Sequence, residues 1–212
     1  MERSDIIPIG YSGNCLEIIE ALIRQARVPA ILDDAGKYRG QTFDGVPILP
    51  MARMADHPHA RFLCLVGSEK SYHARPEIIA RTGLEPDRFA TFVHPAAEVS
   101  GQALIGHGSV LYSGALVTSN GQIGEHVLIM PRALVHHDVT IGSFSIIGAG
   151  VIIAGGARLG ECCYVGSGSA IRNGVTIGAG ALIGMGSVVV KDVAPGEVVA
   201  GNPARTLRPA PR

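Results

Sequence analysis

Aliphatic residues recur at every sixth position from Val93 to Val189, with no insertion between them. Of the 17 residues at this position, 15 are β-branched, and a small residue stands four positions after most of them. In eight of the hexads a glycine follows the aliphatic residue directly. This period matches neither the 3.6 residues of an α-helix nor the plain alternation of a strand. A fixed short repeat of this kind predicts a parallel β-helix over residues 93–194.

Each hexad is predicted to form one short strand and one tight turn, and stacked coils then bury the aliphatic residues in a continuous column. Glycine supplies the turn conformations that other residues adopt only at a cost. Repeats of the form aliphatic-Gly-x-x-small-x resemble those of the left-handed β-helix acyltransferases, in which three hexads make one triangular coil. The resemblance implies five to six coils, with each residue stacked on the residue 18 positions later.

Before Phe92 the pattern alternates between strands and helices, which predicts a small parallel α/β domain. The predicted helices are 14–27 and 71–82, and residues 89–93 lead into the first coil. The predicted strands are 6–9, 29–32, 46–49 and 61–66. Asn14 and Glu17 have the spacing of a capping pair at the start of the first helix. Pro8 lacks a backbone N–H, so we expect the first strand to be irregular or to begin late.

The charge balance is neutral, with 18 basic and 18 acidic residues. This balance gives no reason to expect binding to nucleic acid. Four cysteines have neither metal-ligand nor disulfide-framework spacing, so we expect them to be reduced packing residues. Neither a secretory signal nor a window long enough to span a membrane is found in the sequence. We therefore expect a soluble, cytoplasmic protein.

One hexad differs from the others because it places two imidazoles and a carboxylate at its turn: His136, His137 and Asp138. Histidine is the side chain best suited to accept a proton near neutral pH, and an adjacent carboxylate can orient its ring. For His107 and His126 we expect no acidic partner and a position on the surface. No two histidines have the spacing of a zinc site, so a metal is not expected.

A glycine turn, Gly10-Tyr-Ser12-Gly13-Asn14, follows the first predicted strand. Backbone N–H groups at such a turn can hold a phosphate where it opens a helix. Asp33 and Asp34 end the second predicted strand, where nucleotide-binding α/β folds keep an acid for a sugar or base. The glycine pair lacks the full three-glycine fingerprint, so the alternative remains that the glycines only make the turn and the aspartates are solvated.

Taken together, the chain resembles the sugar acetyltransferases of the sialic acid O-acetyltransferase and bacillosamine-pathway N-acetyltransferase type. The most specific segments are His137-Asp138-Val139-Thr140-Ile141-Gly142 and Gly201-Asn202-Pro203-Ala204-Arg205. The resemblance implies that His137 is the general base, that Asp138 polarises it, and that acetyl-CoA lies along the β-helix between subunits of a homotrimer. The positions expected to contact acetyl-CoA are Ala154, Gly155, Ser167, Met185, Lys191 and Arg205. Those expected to bind the nucleotide part of the substrate are Gly10, Ser12, Gly13, Asn14, Asp33 and Asp34.

The sequence thus predicts an α/β N-terminal Rossmann-like domain (residues 1–92) followed by a left-handed parallel β-helix (93–194). A C-terminal tail (195–212) is expected to contribute to acetyl-CoA binding. The predicted activity is acetyl-CoA-dependent N-acetylation of a nucleotide-linked amino sugar in polysaccharide or glycoprotein biosynthesis, by direct attack of the amine on the thioester. Three alternatives remain open: O-acetylation of a sugar hydroxyl, a non-catalytic nucleotide-sugar-binding or scaffold protein, and a metal-dependent hydratase.

Overall fold

A five-stranded sheet forms the N-terminal part of the computed structural model, which describes residues 4–209. Residues 1–3, at the start of the predicted N-terminal domain, and residues 210–212, at the end of the predicted tail, lie outside the described residues. The sheet has the order β3-β4-β2-β1-β5, and its strands are parallel except for the antiparallel edge strand β3. These strands are β1 (Ile6–Ile9), β2 (Ile31–Leu32), β3 (Thr42–Phe43), β4 (Val46–Leu49) and β5 (Arg61–Cys64).

Strand β1 is regular and lies between β2 and β5, so the expectation that Pro8 would disturb it is wrong. Pro8 is paired with Leu63 of β5. The pairing of β1 with β2 involves only Ile9 and Leu32, so no ladder bond to β2 is required at Pro8. The missing donor of proline is therefore tolerated in a central strand.

The first predicted helix is two helices, α1 (Gly13–Leu16) and α2 (Ile19–Gln25). The chain leaves helical geometry at Ile18, whose φ is −123° and whose side chain is buried. The predicted capping pair is wrong, because Ser12 precedes α1 without a side-chain cap and Asn14 lies within the helix. Helix α3 (Arg75–Ala80) follows a 3₁₀ turn at Tyr72–Ala74, and the other 3₁₀ turns are Gly36–Tyr38, Met51–Asp56 and Pro86–Arg88.

The remaining strands stack as a parallel β-helix with three faces. Face A contains β6 (Phe92–Val93), β9 (Val110–Leu111), β12 (Leu128–Ile129), β15 (Ile146–Ile147), β18 (Tyr164–Val165), β21 (Leu182–Ile183), β23 (Glu197–Gly201) and β24 (Ala204–Pro209). Face B contains β7 (Glu98–Val99), β10 (Leu116–Val117), β13 (Leu134–Val135), β16 (Ile152–Ile153), β19 (Ala170–Ile171) and β22 (Val188–Val189). Face C contains β8 (Leu104–Ile105), β11 (Gln122–Ile123), β14 (Thr140–Ile141), β17 (Arg158–Leu159) and β20 (Thr176–Ile177).

Strands β6 to β22 pair within each face at a spacing of 18 residues, as the hexads predicted, and β23 then pairs with β21 at a spacing of 16. Val117 pairs with Val135 on face B, and Ile123 pairs with Ile141 on face C. The second residue of each strand points inward and forms the central core with the small residues of the turns. The antiparallel hairpin β23–β24 ends face A at the C-terminal side.

Three columns of turns form the edges of this prism: the AB edge between faces A and B, the BC edge and the CA edge. From Gly108 to Gly186, the third residue of these turns has a left-handed backbone, which favours glycine, asparagine and aspartate. On the BC edge, four successive coils fill this position with Asn120, Asp138, Gly156 and Gly174, at φ values of 58°, 59°, 71° and 71°.

The N-terminal part packs on face A and along the CA edge. The outward residues of face A, such as Leu128 and Leu182, are buried in one cluster with Leu63, Leu65 and other residues of the N-terminal part. Face A is therefore covered within the chain, and the BC edge lies opposite it in the triangular cross-section.

Arg75 of α3 connects the two parts of the molecule. Its guanidinium is fully buried and donates to the carbonyl oxygens of Val66, His126 (2.6 Å) and Phe144 (3.2 Å). The last two of these residues belong to the CA edge, so one side chain holds the N-terminal part against two adjacent coils.

Two expectations about histidines are wrong. His126 is only 3% exposed because Phe89, Phe144 and Arg75 cover it on the CA edge. Burial, together with the neighbouring Arg75 cation, lowers its pKa to about 4. His107 has an acid beside it after all, since Glu125 of the next coil lies 3.3 Å from its Nε2.

Candidate active site

His137 and Asp138 form a hydrogen-bonded pair at the middle of the BC edge. The Nδ1 atom of His137 lies 2.7 Å from Oδ2 of Asp138. Hydrogen bonds, first from His137 and then from Asn120, hold the pKa of the Asp138 carboxyl below its usual value. The ionised carboxylate can only accept, so Nδ1 carries the proton in this pair and Nε2 is the ring atom with a free lone pair. The His137 side chain is 64% exposed, which leaves it open to a substrate.

Gly155 lies against the imidazole of His137, one coil further along the BC edge. A Cβ atom built on Gly155 would be 2.6 Å from both Cε1 and Nε2 of His137. The backbone of Gly155 is outside the left-handed region, so the contact with the ring is what requires glycine here. Within residues 4–209 the N–H of Gly155 donates to no acceptor. A free N–H beside a base is suited to binding a carbonyl oxygen.

Two other residues expected at the acetyl-CoA site lie on the same edge as His137. Ala154 precedes Gly155, and Lys191 occupies the turn two coils after Gly155. Lys191 and Arg205 of β24 both line a cavity of about 230 Å³ at the C-terminal end. Asp192 and Glu197 also line this cavity, so it combines charges of both signs.

Ser167 and Met185 lie on the AB edge and not on the BC edge. The N–H of Gly186 donates to the carbonyl oxygen of Ser167, which stacks their two turns. Met185 is 80% exposed, a high value for a large apolar side chain. Face B separates the two edges, so within one chain these residues do not share a site with His137.

The N-terminal part has a second candidate site in a crevice at the carboxyl ends of β1 and β2. A cavity of about 390 Å³ is lined by Gly10, Asp33 and Asp34, together with Met51 and Arg81. Gly10 has a φ of 96°, and a Cβ there would lie 2.6 Å from Cγ2 of Val66. Glycine is therefore required at this turn by the backbone and by the packing.

The carboxylates of Asp33 and Asp34 in this crevice accept hydrogen bonds from backbone N–H groups. The two oxygens of Asp33 accept from the N–H groups of Tyr11 and Ala35, both at 2.7 Å. Asp34 accepts from the N–H of Met51 at 2.9 Å. These bonds fix the loops that follow β1, β2 and β4.

Ser12, Gly13 and Asn14 do not line that cavity. The amide of Asn14 donates to the carbonyl oxygens of Leu65 (2.9 Å) and Gly67 (3.0 Å), so its donors hold the end of β5. Helix α1 has only four residues and its first glycine has open space beside it. The expected phosphate-binding role of this turn therefore stays a prediction.

Sequence reasoning missed Asn120 and Arg75. Asn120 donates to Oδ1 of Asp138 at 3.0 Å, and its position 18 residues earlier was the available signal. No sequence signal pointed to Arg75. In the described part of the chain, no group of three or more His, Cys, Asp or Glu side chains is placed to hold a metal ion. No helix among residues 4–209 is long and apolar enough to cross a membrane.

Two segments of the β-helix match the model of a known protein family. Residues 120–155 and 156–191 match the bacterial transferase hexapeptide family (six repeats). The UDP-N-acetylbacillosamine N-acetyltransferase of Bacillus subtilis (strain 168) is 31% identical over 116 residues, which are 52% of this chain. The alignment spans 51%, about half, of the length of that relative.

Solved structures similar to this one cover almost the whole chain. The acetyltransferase domain of PglB from Neisseria gonorrhoeae FA1090, in complex with acetyl coenzyme A, has a TM-score of 0.84 and 29% identity over 98% of this chain and 100% of that chain. PerB from Caulobacter crescentus, in complex with CoA and GDP-perosamine, has a TM-score of 0.84 and 26% identity over 97% of this chain and 98% of that chain. The predicted resemblance to hexapeptide-repeat sugar acetyltransferases and the left-handed β-helix are confirmed.

Proposed function

We propose, on the premise that residues 120–191 are bacterial transferase hexapeptide repeats, that this chain is an acetyl-CoA-dependent N-acetyltransferase. Its substrate is the amino group of a nucleotide-linked amino sugar. The observation that carries the proposal is the His137–Asp138 pair packed against Gly155. The pair lies on a β-helix similar to two solved structures with bound ligands. The PglB structure contains acetyl coenzyme A, and the PerB structure contains CoA and GDP-perosamine.

His137 is the general base in this mechanism. Bound acetyl-CoA supplies the acetyl group as a thioester. The neutral amine of the sugar attacks the thioester carbonyl directly, and Nε2 of His137 accepts the proton that the amine loses as the C–N bond forms. Asp138 holds the ring and stabilises the imidazolium. As the C–S bond breaks, the departing CoA thiolate takes this proton back from Nε2, which releases the CoA thiol and restores neutral His137. The free N–H of Gly155 is suited to donate to the carbonyl oxygen as negative charge develops on it.

The acetyl-CoA site in this proposal runs along the BC edge towards the C-terminal end. Gly155 provides the close approach that a bulky thioester requires, since a Cβ would fill that space. Lys191 and Arg205 at the C-terminal cavity are placed to bind phosphate groups, and the tail from residue 195 contributes the second of them.

We also propose that residues 1–92 form a Rossmann-like domain that binds the nucleotide part of the substrate. The parallel order of β4, β2, β1 and β5 and the crevice at the carboxyl ends of β1 and β2 support this assignment. Gly10, Asp33 and Asp34 line the crevice. Ser12, Gly13 and Asn14 lie at the start of α1, which follows the turn at Gly10. Cytoplasm is the proposed location, because it supplies both acetyl-CoA and nucleotide sugars.

A homotrimer with active sites between subunits completes the proposal. After Glu98 in the first coil, the outward residues of face B form an apolar row of Leu116, Leu134, Ile152, Ala170 and Val188. Packing face B of three copies around an axis brings the BC edge of one copy to the AB edge of the next. Ser167 and Met185 of one subunit then lie beside His137 of another. The covered position of face A explains why the N-terminal part of the same chain does not reach His137.

The test of the activity is release of the CoA thiol from acetyl-CoA with a panel of UDP-, GDP- and dTDP-linked 3-amino and 4-amino sugars. We expect turnover with at least one amine, and we expect His137→Ala to lose about 10²–10⁴-fold in kcat. Turnover on a sugar hydroxyl without turnover on any amine would overturn N-acetylation in favour of O-acetylation. An unchanged rate in His137→Ala would contradict the role of the base.

The test of the assembly is the molar mass in solution measured by light scattering. Ile152→Asp places a charge in the apolar row of face B and is expected to give monomers that no longer transfer acetyl groups. Thr140→Asp is the matched control, because Thr140 is exposed on the polar face C. A monomeric variant with full activity would contradict a shared active site.

A further inference from the structure

The carboxylate of Asp138 has a separate partner on each oxygen. Oδ2 is hydrogen-bonded to Nδ1 of His137 at 2.7 Å, and Oδ1 accepts from Nδ2 of Asn120 at 3.0 Å. Because the carboxylate only accepts, the amide nitrogen of Asn120 must be the donor. Rotation of the carboxylate about its Cβ–Cγ bond would break both bonds, so the two partners together fix its plane.

Asn120 occupies the same turn position as Asp138, one coil earlier. Both residues have a left-handed backbone conformation, and Gly156 and Gly174 fill this position in the next two coils. Glycine would therefore satisfy the backbone at residue 120, and asparagine is among the few other residues that tolerate this conformation. The asparagine side chain therefore stands in the coil directly before the His137–Asp138 pair, where glycine would leave no donor.

The hydrogen bond from Asn120 matters because the His137–Asp138 pair is largely exposed. The side chains of His137 and Asp138 are 64% and 56% exposed, so the contact with Gly155 on one side of the ring does not by itself fix their orientation. Their orientation depends on polar contacts that compete with water. A donor on a short side chain anchored in the adjacent coil restricts the carboxylate, and the carboxylate in turn restricts the imidazole.

We propose that Asn120 is a positioning residue that orients the catalytic base through Asp138. The proposal rests on the proposed function, since it assigns Asn120 a part in the proton transfer to His137. Asn120 does not contact the reacting atoms, and its effect passes entirely through the Asp138 carboxylate.

The first experiment compares Asn120→Gly with the wild type in the thiol-release assay. Glycine removes the amide without strain, because φ is 58° at this position and alanine would add a backbone cost. We expect kcat to fall about five- to tenfold and KM to change by less than about twofold. Asn120→Asp, which replaces the donor with a second carboxylate, is expected to lose at least as much. Gln102→Ala is the matched control one coil earlier on the same edge, and its kcat is expected to be unchanged.

A double-mutant cycle distinguishes positioning from a general structural effect. Asp138→Gly removes the carboxylate, again without strain since φ is 59° there. In that background Asn120→Gly is expected to change kcat by less than about twofold, because its route to His137 is already lost. A second five- to tenfold loss in the double variant would overturn the proposal, as would a wild-type kcat in Asn120→Gly.

A spectroscopic readout keeps the proposal separate from the proposed function. Nitrogen-15 NMR of the imidazole reports which ring nitrogen of neutral His137 carries the proton. We expect the Nδ1–H form to dominate in the wild type and its fraction to fall in Asn120→Gly. If the wild type transfers acetyl to no amine or hydroxyl, the proposed function fails, while the tautomer measurement still decides whether Asn120 orients the ring. An identical tautomer ratio in both proteins would overturn the positioning role.

Discussion

Replacing Gly155 with alanine tests the arrangement of the candidate site most directly. The added Cβ would lie 2.6 Å from Cε1 and Nε2 of His137, so the ring must move by about 1 Å to reach an ordinary contact distance. The ring is exposed and can swing towards solvent, which makes the change inexpensive for folding. That movement stretches the 2.7 Å bond to Asp138 and carries Nε2 away from its position. A displacement of about 1 Å costs on the order of 10²-fold in rate, so we expect kcat to fall about 100-fold.

Gly156→Ala is the matched control, because its added Cβ meets no side chain but the backbone at this position is strained for alanine. A Cβ at Gly156 meets nothing within 4 Å, but φ is 71°, a conformation that alanine adopts at a cost of about 1–2 kcal/mol. We expect its Tm to fall by about 2–6 °C while kcat stays within about twofold of the wild type. Thiol release and thermal unfolding measured on both variants check the pair. If Gly155→Ala kept the wild-type kcat, the contact between Gly155 and the imidazole would have no part in catalysis.

Three further predictions concern the base and the packing around it. Asp138→Asn, which keeps a residue tolerant of φ 59°, is expected to lower kcat about 10–100-fold in the thiol-release assay, with the wild-type Tm retained. Arg75→Met is expected to lower the free energy of unfolding by about 3–5 kcal/mol in urea titrations, because three buried carbonyl oxygens lose their donor. The pKa of about 4 for folded His126 lies below that of the unfolded chain, so stability is complete above about pH 6.5 and falls as the pH drops towards 4. We expect a loss of about 3 kcal/mol over this range. The variant His126→Asn tolerates φ 55° and cannot ionise, so it should lose less in unfolding titrations at the two pH values.

The sequence predicted the β-helix well because its register is a local property. Each hexad fixes one strand and one turn, and stacking at 18 residues leaves no freedom to shift, since a slip would turn the aliphatic column outward. The same spacing of 18 residues puts Gly155 beside His137. Asn120 follows from the identical rule applied in the other direction along the edge.

Contacts between the N-terminal part and the β-helix could not be predicted in this way. His126 occupies a turn position on the CA edge, and Phe89 and Arg75 of the N-terminal part complete the burial that Phe144 of the next coil begins. The break between α1 and α2 also depends on contacts with distant parts of the chain. Asn14 resembles a cap in the sequence, but its amide instead holds the end of β5, and the helix restarts after the buried Ile18.

The division of the expected acetyl-CoA contacts between two edges also follows from the repeat. His137, Gly155 and Lys191 differ from one another by multiples of 18 residues, whereas Ser167 and Met185 differ from each other by 18 but not from His137. A β-helix with no insertion between hexads is a stiff prism, and its turns are too short to fold one edge over another. If all of these residues contact one acetyl-CoA molecule, they must come from different chains. A site confined to a single chain would instead leave Ser167→Ala and Met185→Ala with unchanged KM for acetyl-CoA, while the shared site requires that KM rises for at least one of them.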